Sequence, residues 1–233
     1  MICKEVFMRA VIIANGIIGG FCPVIFPEDI IIAVDGGFRH CLELKLRPHS
    51  LIGDMDSLSP EEIDAVTRSG ILVSRYPARK NHTDMELALH YARSLGADDI
   101  VLLGALGARW DMTIANVMLM AAPELAGCRI RILDGMQEIS LVQGGETRRF
   151  EGNAGDLLSL IPLRGDAKNV RTAGLEYPLS GETLFFSATR GISNAFSDQT
   201  ATVFLENGLL LCVVQHFAEV SLEPKRSIVE KTP

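Results

Sequence analysis

Four aspartates, Asp35, Asp54, Asp56 and Asp84, each follow an apolar run or open a helical segment, positions from which carboxylates converge. Gathered in one place they would repel at roughly 4 kcal/mol per close pair for an effective dielectric near 20, so something positive should sit among them. Asp54 and Asp56 lie in Gly53-Asp54-Met55-Asp56-Ser57. Two residues apart in extended chain, their side chains would share one side, about 6.6 Å apart along the backbone. Such a pair can share one hydrated cation or hold two. The candidate ligands are oxygens with no His or Cys in the spacing, so magnesium fits better than zinc, and a phosphate held through that ion is the chemistry the pattern suggests.

Three other stretches accompany them: Asp35-Gly36-Gly37, Lys80 to Glu86, and Gly104 to Asp111. Each also has a plain structural reading. Asp35-Gly36-Gly37 could be a turn and helix start, Asp54 and Asp56 could cap the turn before the next helix, and Thr83-Asp84-Met85-Glu86 is a capping box. Arg109 and Asp111 could form a surface salt bridge. Yet a glycine-bearing turn from strand to helix is where backbone N–H groups meet phosphate. No GxxxxGK[ST] sequence occurs, which excludes an ordinary P-loop kinase.

Elements that could position these groups are readable in the first 135 residues. Runs rich in Ile, Val and Leu recur at 11–14, 30–34, 51–53, 71–74, 100–103 and 130–133, and runs apolar throughout suit strands buried on both faces of a parallel sheet. Between them, Ser59-Pro60-Glu61-Glu62 is a capping box opening a helix to about Ser69. Leu87, Ala88, Tyr91, Ala92 and Leu95 share a helical face closed by Gly96, and Ile114, Val117, Met118 and Ala121 repeat that pattern. Strand alternating with helix implies an open parallel sheet with flanking helices, whose ligands sit beyond the carboxyl ends of the strands. Asp35, Asp54 and the Gly104–Arg109 turn would then reach one edge.

After Gly135 the helical period disappears. Runs at 139–142, 147–150, 157–163, 175–179, 183–186, 201–205 and 209–214 alternate with turn residues, and Asn207-Gly208 reads as a hairpin. The expected organisation is an α/β domain over 1–135, an all-β domain over 136–220, of sandwich type, and a tail over 221–233. A net charge of -7 without a basic stripe disfavours nucleic acid as partner. Five scattered cysteines, never CxxC, fit reduced thiols in a cytoplasmic protein, and no leader or membrane span is expected.

Taken in order and spacing, Asp35-Gly36-Gly37, Gly53 to Ser57, Lys80 to Glu86 and Gly104 to Asp111 resemble thiamine pyrophosphokinase. So do Gly174-Leu175-Glu176-Tyr177-Pro178-Leu179 and Arg190-Gly191-Ile192-Ser193-Asn194, and the resemblance runs from about residue 10 to 216. It implies an α/β N-terminal domain, a C-terminal β-sandwich, and a homodimer with its site between subunits. The implied reaction moves the pyrophosphoryl group of ATP to thiamine, giving thiamine diphosphate and AMP.

Carried over by motif, Asp35, Asp54, Asp56 and Asp84 would surround magnesium and the triphosphate, with Arg109 joining the last three in catalysis. Gly36, Lys80, Thr83, Gly107 and Asp111 would lie with Asp35 on the nucleotide side. Tyr177, Ser193 and Asn194 would take thiamine. Asp54 or Asp84 would accept the hydroxyl proton. The chain departs from the family pattern at Asn81, Ala105, Ala108, Met112 and Ala195, and the lost carboxylate at Asn81 is expected to weaken or alter metal binding. A magnesium-dependent pyrophosphoryl transferase or hydrolase with a different acceptor, or a silent thiamine- or nucleotide-binding protein, are the alternatives.

Overall fold

The computed structural model describes residues 8–19, 23–76 and 81–217. Cys3, Cys22, Lys80 and the expected tail 221–233 lie outside them. The six apolar runs form β1 (Arg9–Ile13), β2 (Ile30–Val34), β3 (Ser50–Gly53), β4 (Leu72–Arg75), β5 (Asp99–Leu103) and β6 (Arg129–Asp134). Their order is β6-β5-β1-β2-β3-β4, all neighbours parallel.

Alternate side chains leave a strand on opposite faces. β1 therefore gives Ala10 and Ile12 to one core and Val11 and Ile13 to another. Helices α1 (Gly37–Glu43) and α2 (Pro60–Arg68) cover the Val11 face with Phe38, Cys41 and Val66. On the Ala10 face, α3 (Asp84–Ser94) brings Met85, Ala88, Leu89 and Ala92, and α4 (Trp110–Leu119) brings Val117. The Ser59 box is complete: its hydroxyl accepts from Glu62 N at 3.2 Å, and its own N–H donates to Glu62 Oε2 at 2.7 Å.

Two expectations fail in this half. β4 ends the sheet, so Leu72 and Val73 are 55% and 41% exposed rather than buried. On α4, Ile114 and Met118 face outward with Trp110, while Val117 and the following Ala121 pack on the core and Asn116 is the buried residue, so the expected apolar face is split between core and surface.

The remaining strands are β7 (Gln137–Gln143), β8 (Glu146–Glu151), β9 (Leu157–Pro162), β10 (Ala167–Ala173), β11 (Ser180–Leu184), β12 (Asn194–Ala195), β13 (Thr200–Leu205) and β14 (Leu209–Gln215). β7 pairs antiparallel with β6 across a turn at Gly135, so the sheet continues as β7-β14-β9-β12 to ten strands. A separate sheet, β11-β10-β13-β8, encloses a core with that extension, joining Leu160, Leu210 and Cys212 to Phe150, Val170 and Val203. The architecture is an open parallel sheet with flanking helices joined to a β-sandwich that shares its main sheet.

Asn207-Gly208 is not a hairpin: β13 and β14 belong to opposite sheets, and the turn carries the chain across. Leu175 to Leu179 is a loop with one bridge, Leu175 to Phe196. β10 was unforeseen because its alternation is interrupted by an irregular register and by Asn169 at φ 52°. Cys41 and Cys212 are buried fillers whose thiols burial pushes up to about 12.

Phe196, 1% exposed, sits in the sandwich core with its ring against Gly152. Phe196→Ala should therefore cost about 3–5 kcal/mol, read as a lowered midpoint in urea unfolding.

Candidate functional site

At the carboxyl edge of the parallel sheet the chain crossings divide at β1, which has β2 on one side and β5 on the other. Such a switch point leaves a crevice. Asn15-Gly16 leaves β1 here, Asp35 leaves β2, Asp54 leaves β3, and the Gly104 turn leaves β5. The loops touch through backbone: Gly16 N donates to Gly104 O at 2.8 Å and Ile17 N to Leu106 O at 3.0 Å. A Cβ on Gly16 would come within 2.2 Å of Leu106 O.

Asp35 takes a left-handed conformation, φ 45°, which directs its carboxyl across β3. Its Oδ1 accepts from Met55 N at 3.4 Å, and a Cβ on residue 53 would lie 1.6 Å from that same oxygen. Gly53 is thus the residue that makes room for Asp35. The Asp84 carboxyl lies close enough to act on that of Asp35 through charge and hydrogen bonding. Burial first, then the charge and hydrogen bond of Asp84, push Asp35 up to about 7, with a smaller contribution from Asp54. Asp84 is the first residue of α3, behind Thr83, whose Oγ1 accepts from Glu86 N at 3.2 Å. A helix N-terminus favours the negative charge placed there. Glu86 pairs with His82 Nδ1 at 2.9 Å.

Asp54 and Asp56 are not side by side on extended chain, because β3 stops at Gly53 and Met55 turns left-handed at φ 68°. Asp54 Oδ1 accepts from Asp56 N at 3.1 Å, and Asp56 Oδ1 from the Ser57 hydroxyl at 3.2 Å. Arg39 of α1 braces the turn, donating to Ser57 O at 2.5 Å and to Glu62 at 2.8 and 2.9 Å. The sequence reading missed Arg39, for a 23-residue separation from Glu62 leaves no local signal. It also missed Asn15, whose side chain lies where a Cβ on Gly36 would be, 2.5 Å away.

Among the described residues no three His, Cys, Asp or Glu side chains are placed to hold a metal unaided. The donor set nonetheless fits magnesium. That ion takes one or two carboxylates and completes its shell with water and substrate phosphate, and the Asp35–Asp84 contact needs a proton or a cation between its charges.

Beyond β5, the turn is held from α4. Asn116 Nδ2 donates to Ala105 O at 2.6 Å, and Thr113 Oγ1 accepts from Gly107 N at 3.2 Å, so the Gly107 N–H is already engaged. Arg109 and Asp111 pair at 2.5 Å on the surface, 74% and 65% exposed. Lys80 lies outside the described residues. In the sandwich, Tyr177 is 73% exposed, Asn194 bonds its backbone, and Ser193 N donates to Ser159 Oγ at 3.0 Å.

Residues 23–132 match the family model for the thiamin pyrophosphokinase catalytic domain, and residues 147–210 that for the thiamin pyrophosphokinase vitamin B1 binding domain. The thiamine pyrophosphokinase of Bacillus subtilis is 27% identical over 182 residues, covering 78% of this chain and 85% of the relative. A crystal structure of thiamine pyrophosphokinase from Bacillus subtilis superposes with a TM-score of 0.80 at 26% identity, over 90% of this chain and 100% of that one. That from Geobacillus thermodenitrificans gives 0.78 at 26%, over 91% and 99%.

Fold and matches together define a kinase-type transferase built from a catalytic half and a substrate-binding half. With both of the family's domains matched in order along most of its length, the chain belongs to the thiamine pyrophosphokinase family. Among the described residues no helix is long and apolar enough to cross a membrane.

The Asp35 environment predicts a pH-dependent stability in protein without metal. A carboxyl raised in the folded state adds stability below its unfolded value of 3.8, and loses it as pH rises through about 7. Asp35→Asn should therefore raise the metal-free melting temperature at pH 8 by roughly 2–4 °C, the effect of about 1 kcal/mol in a chain of this size, and change it least near pH 4.

Proposed function

We propose that this thiamine diphosphokinase transfers the pyrophosphoryl group of ATP to the hydroxyl of thiamine through the carboxyl-edge crevice. The observation that carries this is the Asp35–Asp84 contact beside Asp54, an anionic cluster at a switch point that a divalent ion would stabilise. When bound, magnesium supplies positive charge to the phosphate oxygens. Asp35 and Asp84 would hold it with Asp54, and Asp56 would reach it through water. Gly36, Thr83 and the Gly107 turn shape the nucleotide side, where Lys80 and Arg109 bring positive charge and Asp111 orients the Arg109 guanidinium. Asp54 or Asp84 takes the proton of the attacking hydroxyl, and the aromatic face of Tyr177 suits the cationic thiazolium. Ser193 closes the thiamine side.

Residues 1–135 act as the nucleotide and metal half and 136–220 as the thiamine half. A homodimer brings them together across subunits. Its support here is the exposed apolar stripe of Trp110, Ile114 and Met118 beside Arg109, with Tyr177, Phe185 and Phe186 exposed on the sandwich. A cytoplasmic setting agrees with Cys41, Cys128 and Cys212, all free thiols. A net charge of -7 without a basic stripe disfavours a nucleic-acid partner.

Incubation with thiamine, ATP and magnesium should yield thiamine diphosphate and AMP in equal amounts. Asp54→Asn should lower kcat by at least about 100-fold, in the range that loss of one electrostatic group costs. Formation of ADP in place of AMP, or no product, would refute the reaction. For the dimer, Ile114→Glu with Met118→Glu should shift the particle to monomer mass in light scattering and reduce activity in parallel. Dimers of full activity would show that the stripe serves another purpose.

A further inference from the structure

Tyr177 is presented by an unusual joint. The segment Gly174 to Tyr177 runs antiparallel to Asn194 to Ser197, with Ser197 N donating to Gly174 O at 3.1 Å and Glu176 N to Ala195 O at 2.9 Å. The bridge between Leu175 and Phe196 sets the register, and the buried Phe196 ring anchors it. In this register Tyr177 stands opposite Asn194.

There the backbone ladder stops. Ser193 is left-handed, φ 58°, and its N–H is drawn away to Ser159 Oγ on β9. The side-chain amide of Asn194 takes over. Its Oδ1 accepts from Tyr177 N at 3.1 Å, and its Nδ2 donates to Tyr177 O at 2.7 Å. A primary amide carries the same donor and acceptor as a peptide group, so it can continue the pairing where the backbone has turned aside. Two bonds to one residue fix both ends of its backbone unit, while Tyr177 as a whole stays 73% exposed. Each polar atom of Asn194 thus has one bond to the Tyr177 backbone, which fixes the plane of the amide.

We infer that Asn194 is a positioning residue: it grips the backbone of Tyr177 and holds that ring ready for the thiazolium cation, instead of contacting thiamine itself. This rests on Tyr177 facing thiamine, and the test separates the two claims.

The experiment is a double-mutant cycle on the full chain, reading KM and kcat for thiamine and for ATP. Tyr177→Ala should lower kcat/KM for thiamine about 3- to 30-fold, the range of one cation–π contact, and leave KM for ATP unchanged. Asn194→Ala should fall in the same range. So should Asn194→Asp, which keeps the acceptor, loses the donor and sets a carboxylate against Tyr177 O. The double variant Tyr177→Ala, Asn194→Ala should be within 2-fold of Tyr177→Ala alone, because a grip on an absent ring has nothing to convey. Losses that multiply would overturn the inference and put Asn194 on the substrate. Wild-type behaviour of Asn194→Ala, or a KM for ATP that rises with that for thiamine, would overturn it too. If Tyr177→Ala alone leaves thiamine kinetics intact, the placement of Tyr177 fails and the inference with it.

Discussion

Two neighbouring carboxyls, both partly withdrawn from solvent, are the constraint around which the carboxyl edge is built. Asp35 and Asp84 come from different faces of the folding path, one from the end of β2 and one from the start of α3. Holding them together demands local sacrifices: a left-handed aspartate, a left-handed Met55, and a glycine at 53 with no side chain to obstruct. Non-glycine residues in that region cost on the order of 1 kcal/mol each, and they persist where surrounding structure dictates them. Here the dictating structure is the central parallel sheet, whose Ile12, Ile32 and Ile52 are fully buried under α3. A rigid floor of this kind suits a site that must hold two carboxyls at close range.

Much of that floor was legible because its signals are local. Six apolar runs, the Ser59 box and the Gly96 stop need only the neighbouring residues to be read, and the structure has them where the pattern put them. Failures occurred where the deciding partner is distant. Asn207-Gly208 has the chemistry of a tight turn, but nothing within it says whether its strands pair with each other or join different sheets. The stripe on α4 has helical spacing, but the sheet receives Thr113, Asn116 and Val117 because Asn116 and Thr113 bond the Gly104 turn. β4 reads as a buried strand and lies at an edge.

The aspartates themselves were legible by type and position, whereas their arrangement was not. Asp54 and Asp56 at a spacing of two suggested a matched pair on a strand. The strand's early end at Gly53 makes them instead a turn in which one caps the amide of the other. Arg39 and Asn15, which hold the turns in place, carry no motif of their own. In the sandwich, the 175–179 run reads as a strand, yet its one bridge and the Asn194 amide make it a pinned loop that leaves Tyr177 exposed.

A divalent ion must relieve the Asp35–Asp84 pair if the crevice is to work as proposed. Calorimetric titration of magnesium into the protein with a non-hydrolysable ATP analogue, compared with the same titration of the Asp35→Asn variant, tests it most directly. Saturable binding in the wild type that weakens at least about tenfold in the variant, a difference near 1.4 kcal/mol, is the result predicted. Equal affinity in the two proteins would place the ion elsewhere and leave the two neighbouring carboxyls without the purpose assigned to them.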